Sequence, residues 1–187
     1  MAKTNKTKFA LLGVLTLRPC SGYDIKKFCD NHLSHIWNEN YGHIYPVLKQ
    51  MEIEGLVTKK TEHNEGRPYR NVYSITEKGR AELNDWLLLP VEPYSFRSEL
   101  LLKMFFAADI PLSNLIEKLE KKKDNDQQIL EYHKIIEQML KTRLKDRKEA
   151  PFWWAVLSYG RHSCNATIAW CEETIKYLQD LDQQQEL

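Results

Sequence analysis

The sequence predicts a mainly α-helical chain in two parts: three helices, a β-hairpin and a fourth helix over residues 1–89, then helix almost throughout residues 90–187. Three observations carry this. Apolar residues recur at steps of three and four along most of the chain, the period of a helix with one buried face. In two stretches, 56–61 and 69–75, the period drops to two, and the residues between them are turn formers. Pro90-Val-Glu-Pro93 then makes a short, stiff break, after which the helical period resumes. The order α-α-α-β-β-α is that of a winged helix-turn-helix, and the long helices that follow have the spacing of an antiparallel or coiled-coil-like pair.

Taken in order, Phe9 to Leu17 is apolar nearly all round, which suits a helix buried on most sides. Arg18-Pro19 ends it, because the residue before proline is pushed out of helical geometry. Ser21-Gly-Tyr-Asp24 has the form of a capping box, in which Ser21 takes the Asp24 amide and Asp24 reaches back. It opens a second helix, Gly22 to about Asp30, with Ile25, Phe28 and Cys29 on its apolar face. Trp37 reads as a core anchor in the connection that follows, and Asn38-Glu-Asn40 supplies cap chemistry for a third helix. That helix, Gly42 to Glu54, has two faces: Ile44, Val47, Leu48 and Met51 are apolar, while His43, Tyr45, Lys49 and Gln50 hydrogen-bond or neutralise phosphate. Pro46 suits its first turn, where a missing amide does no harm, and Gly55 stops it.

The strands 56–61 and 69–75 form a hairpin whose tip holds Asn64, Gly66 and Pro68. Thr76 caps a helix running from Glu77 to about Leu88, with Leu83, Trp86 and Leu87 apolar. Beyond the prolines come a short helix, Glu99 to Ala108, and a long one from Pro111 toward Lys148. Within it Lys121 to Gln128 has no apolar residue and reads as a solvated section. A last helix runs from Pro151 through Leu181. Its Trp154, Leu157, Arg161, Cys164, Ile168, Cys171, Ile175 and Leu178 alternate in steps of three and four, with Arg161 the one break in the apolar seam. Leu157, Cys164, Ile168, Cys171, Ile175 and Leu178 are therefore expected at a dimer interface, although the same spacing suits a seam within one chain.

The chain has 187 residues, 42% hydrophobic and 11% aromatic, enough for one or two packed domains. Its net charge is +1, but residues 1–90 hold 13 Lys/Arg against 10 Asp/Glu, and residues 91–187 hold 14 against 16. A positive front half has the sign of a surface that faces nucleic acid. Cys20, Cys29, Cys164 and Cys171 form no close pair and read as reduced and buried. Lys3, Lys6 and Lys8 before an apolar run resemble an export signal, but Arg18-Pro19 stands where small residues are needed for cleavage. No run approaches the roughly 20 apolar residues of a membrane span, so a cytoplasmic protein without membrane partners is expected.

Enzymatic readings are poor. His162-Ser-Cys164 has the residue types of a base and a nucleophile, yet two residues apart on a helix they point to different faces. Cys164 and Cys171 share a face but lie two turns apart, too far for one zinc. His133 and His162 read as surface histidines, Asn165-Ala-Thr167 is a sequon placed mid-helix, and no glycine-rich phosphate loop exists. No catalysis, cofactor or metal is expected. A nucleic-acid reading draws on several parts at once. Tyr41, His43, Tyr45 and Lys49 on the third helix are suited to base edges and phosphates of a major groove. Lys59, Lys60, Arg67 and Arg70 lie on the hairpin, Lys3, Lys6 and Lys8 precede the first helix, and the helix starts after Ser21 and Thr76 offer amides to phosphate.

Ser21-Gly-Tyr-Asp-Ile25, Trp37, His43-Ile-Tyr-Pro-Val-Leu48, Glu54-Gly-Leu-Val57, Arg67-Pro68 and Val72-Tyr-Ser-Ile-Thr-Glu-Lys-Gly79 together resemble the PadR family of transcriptional regulators, over residues 7 to about 88. The helical remainder is similar in length and pattern to the longer PadR subfamily. The resemblance implies a homodimeric repressor on a near-palindromic operator of duplex DNA, dimerised through residues 90–187 and released by a small aromatic or hydrophobic effector, for control of phenolic-acid stress or efflux. By position it assigns base and phosphate contacts to Tyr41, Gly42, His43, Tyr45 and Lys49 and wing contacts to Arg67 and Arg70. Ser21, Tyr23 and Lys78 lie inside the matching motifs and join the DNA-facing set with Lys6 and Lys8. Gly42-His43 stands where relatives often carry Ser-Gln or Gly-Gln, and histidine offers a base a different donor pattern from glutamine. Effector contacts are expected from Trp86, Trp153, Trp154 and Tyr159, with Phe152 and Trp170 as further candidates; the alternative for these aromatics is core and interface. The competing reading of the whole is a winged-helix module that binds protein or RNA without specific duplex DNA.

Overall fold

The structure is a computed structural model and describes residues 5–33, 37, 44–62, 69–93 and 96–185. The chain divides into two compact units, Met1–Pro93 and Tyr94–Leu187.

In the first unit α1 spans Lys6–Leu17, β1 Cys20–Ser21, α2 Gly22–His32, α3 Ile44–Ile53, β2 Val57–Glu62, β3 Arg70–Ile75 and α4 Glu77–Leu88. Asn5 caps α1 by accepting the Lys8 amide, so that helix starts three residues before the expected Phe9. Leu11, Leu12 and Leu15 of α1 are fully enclosed and pack with Ile25 and Cys29 of α2 and Ile44, Leu48 and Met51 of α3. Phe9 stacks on Trp86 of α4 with ring centroids 4.5 Å apart and planes 5° from parallel. The predicted two-stranded hairpin is a three-stranded antiparallel sheet in the order β1-β3-β2. β3 lies between the others: Cys20 is opposite Tyr73 and Ser21 opposite Val72 on one side, while Val57 through Glu62 pair with Ile75 through Arg70 on the other.

In the second unit α5 spans Glu99–Phe105, α6 Leu112–Thr142 and α7 Ala150–Gln185. Ser98 caps α5 by accepting the Leu101 amide. α6 stops six residues short of the expected Lys148. The Met139 carbonyl accepts amides from both Arg143 and Leu144, at 2.9 and 3.0 Å, which ends the helix. Pro151 then sits in the first turn of α7, where it costs no hydrogen bond.

α6 and α7 run antiparallel. Leu115 and Leu119 pack with Cys171, Ile175 and Leu178, and further along Glu137 of α6 meets Arg161 of α7 at 2.8 Å. That pair accounts for the charged break in the apolar seam. Leu157, Cys164, Cys171, Ile175 and Leu178 are buried, and Ile168 half-buried, within a single chain. Within the one chain α6 covers this face, which is the second of the two readings that its heptad spacing allowed. Two other readings do change. Lys121 to Gln128 is not wholly solvated, because Asp126 turns into the seam at 4% exposure and takes the Lys122 ammonium with it. His133 is not a surface histidine; it is buried against Gly160, where a side chain would collide with the imidazole at 2.8 Å. His162 is exposed. Among the described residues no helix is long and apolar enough to cross a membrane.

Candidate nucleic-acid interface

α3 is held from below and at its C-terminal end, which leaves one side outward. Ile44, Leu48 and Met51 are sealed into the core, while Tyr45 (61% exposed) and Lys49, four residues apart and so neighbours on the helix surface, face out. Gln50 is also exposed and donates to Glu54 at 2.8 Å. The helix ends at Gly55, whose φ of 72° is left-handed backbone that glycine adopts without strain. Thr76 Oγ1 donates to the Gly55 and Leu56 carbonyls at 2.8 and 3.0 Å, and the Lys78 ammonium donates to the Glu54 carbonyl at 2.7 Å. A cation at a helix C-terminus is favoured by the helix dipole. Lys78, expected on the DNA-facing surface, is thus engaged with the end of α3.

The Ser21 expectation is met as a capping box. Ser21 Oγ accepts the Asp24 amide, and Asp24 accepts from the Ser21 amide at 3.0 Å and the Ser21 hydroxyl at 2.6 Å. The same carboxylate takes the Arg70 guanidinium from β3. Burial alone pushes the Asp24 carboxyl up, but the Ser21 hydroxyl and amide, then Arg70 and Arg18, outweigh it and hold the carboxyl below its ordinary value. A carboxyl depressed on folding stabilises the folded state above the unfolded value, near 3.8, and that stability is lost as pH falls through the lower folded value. Urea melts of Asp24→Asn at pH 7 are expected to show about 1 kcal/mol lost with the cap. Below about pH 4 the variant should fall less steeply than the parent, and an acid limb parallel to the parent's would show that the Asp24 charge contributes nothing.

Most of the expected cations have partners in this chain. Lys6 pairs with Glu92 at 3.1 Å, Lys8 with Glu82, Lys59 with Glu52 at 3.2 Å and Arg70 with Asp24. Exposed pairs of this kind are each worth about 1 kcal/mol at most, so a phosphate competes readily for the cation. Lys49 and Lys60 are exposed and have no ion-pair partner among the described residues. Tyr23 is exposed at the start of α2, and Tyr69 is exposed directly before β3. Tyr41, Gly42, His43 and Arg67 lie outside the described residues, as does Lys3.

The aromatic candidates for an effector are dispersed. Trp86 belongs to the first core, stacked on Phe9. Within the second unit Trp153 lies under the Arg147 guanidinium at 5.9 Å and Trp154 under the Lys141 ammonium at 5.6 Å. Phe152 and Tyr159 are exposed, and Trp170 packs on the α6–α7 core. An open groove of about 620 Å³ runs along α6 between Glu131 and Arg143, with Ile135 and Met139 in its floor, and none of these aromatics lines it. Among the described residues no three His, Cys, Asp or Glu side chains are grouped to hold a metal ion. The four cysteines are buried, and burial pushes the Cys20, Cys164 and Cys171 thiols up, away from the reactive thiolate.

Four helices and three strands among the described residues of the first unit, with one helix face turned outward and a helical hairpin following, make the architecture of a winged-helix regulator. Residues 11–85 match the family described as transcriptional regulator PadR-like, and residues 96–179 match virulence activator alpha C-term. The chain belongs to the PadR-like family, whose members regulate transcription and are not enzymes. It is 35% identical over 101 residues to the negative transcriptional regulator PadR of Bacillus subtilis, a match covering 53% of this chain and 55% of that protein. The chain spans about half the length of the curated relatives it matches. Among solved structures, smu.1604c from Streptococcus mutans is 30% identical with a TM-score of 0.76, covering 90% of this chain and 98% of that one. Bacillus subtilis PadR in complex with operator DNA has a TM-score of 0.79 at 23% identity, covering 93% and 99%. The same protein with p-coumaric acid has a TM-score of 0.72 at 23% identity, covering 92% and 98%. The last two establish likeness of fold.

Proposed function

We propose that this chain is a cytoplasmic, homodimeric transcriptional repressor that reads a near-palindromic stretch of duplex DNA with α3 and leaves it when a small aromatic molecule binds. The observation that carries the reading is the outward side of α3, where Tyr45 and Lys49 are exposed over a sealed apolar side, with Lys60 of β2 a further exposed cation; neither lysine has an ion-pair partner among the described residues. Two copies would set their α3 helices about 34 Å apart, one turn of DNA. The operator complex and the p-coumaric acid complex of a relative with this fold support DNA and an aromatic acid as partners, and the name of the 35% identical relative supports negative control. The helical unit 94–187 is the part proposed to dimerise, through faces other than the α6–α7 seam. Effector contacts are proposed for Trp153, Trp154 and Tyr159.

Fluorescence anisotropy with labelled duplex from upstream of the chain's own coding region, over a salt series, tests this. Lys49→Ala is expected to weaken binding and to lower the slope of log K against log salt by about one, the share of one phosphate contact. Adding a small aromatic acid should release the duplex. No binding by the parent at moderate salt overturns the proposal, and salt-insensitive capture of protein or RNA would favour the interaction-module reading.

A further inference from the structure

We infer that Gly22 is a positioning residue for DNA recognition: it is the seat on which the Tyr45 ring of α3 is aimed, and so it sets specificity without touching DNA. The inference rests on the proposal that α3 reads duplex DNA. Gly22 is the first residue of α2, directly after the Ser21 cap, and it is buried. A methyl group at this position would stand 2.7 Å from Tyr45 Cε1, 3.2 Å from Cζ and 3.3 Å from Leu48 Cδ1. The backbone does not ask for glycine here, because Gly55 is the one residue of positive φ among those described. Helix propensity does not ask for it either, since alanine is the better helix former. What requires a missing side chain is the ring lying against the Cα.

The consequence falls chiefly on the ring, since Leu48 Cδ1 at 3.3 Å already lies close to ordinary contact. Tyr45 is 61% exposed, so its phenol can give way at little cost to the core beneath. To reach an ordinary separation of 3.4 Å from 2.7 Å, the ring edge retreats by 0.7 Å. Hydrogen bonds to a base edge or phosphate work over about 2.7–3.2 Å, so a shift of that size takes the hydroxyl out of range. Tyr45 stands in the first turn of α3, the end that enters a groove first in a helix-turn-helix. Packing beneath the helix sets where α3 lies, and Gly22 sets where its leading aromatic points.

A four-member set of parent, Gly22→Ala, Tyr45→Ala and the double variant separates this from a general structural effect. Operator and random duplex are titrated at fixed salt, with melting followed in parallel. Gly22→Ala is expected to weaken operator binding about tenfold, the size of one specific base contact, with random-duplex binding and melting little changed. In the Tyr45→Ala background the same glycine substitution should have no further effect, because the ring it displaces is gone. Tyr45→Phe, which keeps the ring and its seat but lacks the hydroxyl, should show a loss similar to that of Gly22→Ala. An unaltered operator affinity in Gly22→Ala, or an equal loss in the Tyr45→Ala background, overturns the inference, as does full binding by Tyr45→Phe. An NOE between the Gly22 α-protons and the Tyr45 ring in the free parent supports the seat independently of DNA, and its absence overturns it. A parent that binds no duplex overturns the functional reading itself and the specificity role with it, and the NOE then reports packing alone.

Discussion

Replacing Gly79 with alanine is expected to cost the first unit about 2–3 kcal/mol, in the range of overpacked positions, and to lower its melting temperature by roughly 10–20 °C. The added methyl would stand 2.2 Å from the Leu56 carbonyl oxygen and 3.1 Å from its carbon, with Ile75 Cγ1 at 3.0 Å. Unlike the tyrosine ring above Gly22, the obstacle here is backbone at a buried joint, and it has no rotamer to move into. That carbonyl already accepts the Thr76 amide and hydroxyl, both at 3.0 Å. Room for the methyl therefore comes from lifting the first turn of α4 off the α3–β2 joint, which breaks both bonds and withdraws Lys78 from the Glu54 carbonyl. Operator binding should fall with it at temperatures where the unit is still folded, because the end support of α3 is lost although no residue on its outward side has changed. Calorimetry with circular dichroism checks this, and a melting temperature within about 2 °C of the parent's, less than 1 kcal/mol for a unit of this size, would contradict it.

Leu119→Ala is expected to cost the second unit about 3–5 kcal/mol, the range for a leucine emptied from a closed site. Leu119 is fully buried, and it packs in one cluster with Cys171, Ile175 and Leu178 of α7 and Ala107 after α5. Two long antiparallel helices cannot close over the missing volume without parting elsewhere along the seam. Trp170 packs against the same cluster and reports locally, so urea unfolding followed by tryptophan emission should move its midpoint strongly to lower urea. A midpoint unchanged within error would show that the seam is not where this unit's stability lies.

The two faces of α3 were legible in the sequence because helical period alone separates Ile44, Leu48 and Met51 from Tyr45 and Lys49. The Ser21–Asp24 box was legible for a similar reason: both partners lie within four residues of each other. What escaped notice depends on distant partners. β1 is two residues long, too short for any alternation, and exists only because β3 offers it an edge. The heptad spacing from Leu157 to Leu178 shows a buried face but not which chain buries it, and Asp126 looked solvated because nothing in a charged run says which member turns inward. The cations of the expected DNA surface were readable as cations, whereas their pairing with Glu92, Glu82, Glu52 and Asp24 joins separate elements. Gly22 was legible as part of a motif, but the reason for it is a ring more than twenty positions away.

The connection between α6 and α7 is a short turn, from Arg143 to Glu149, and every contact of their seam grows outward from it. The sheet of the first unit is the opposite case, since its β1–β3 edge joins Cys20 to Tyr73 across α2, α3 and β2. Contacts near in sequence cost little loop entropy and form quickly, while distant ones wait for most of the chain between them to be arranged. The two units thus differ in the search each makes before it is native: the helical pair closes like a zip from its turn, and the α3-bearing unit is complete only when its first strand finds an edge made late in that unit.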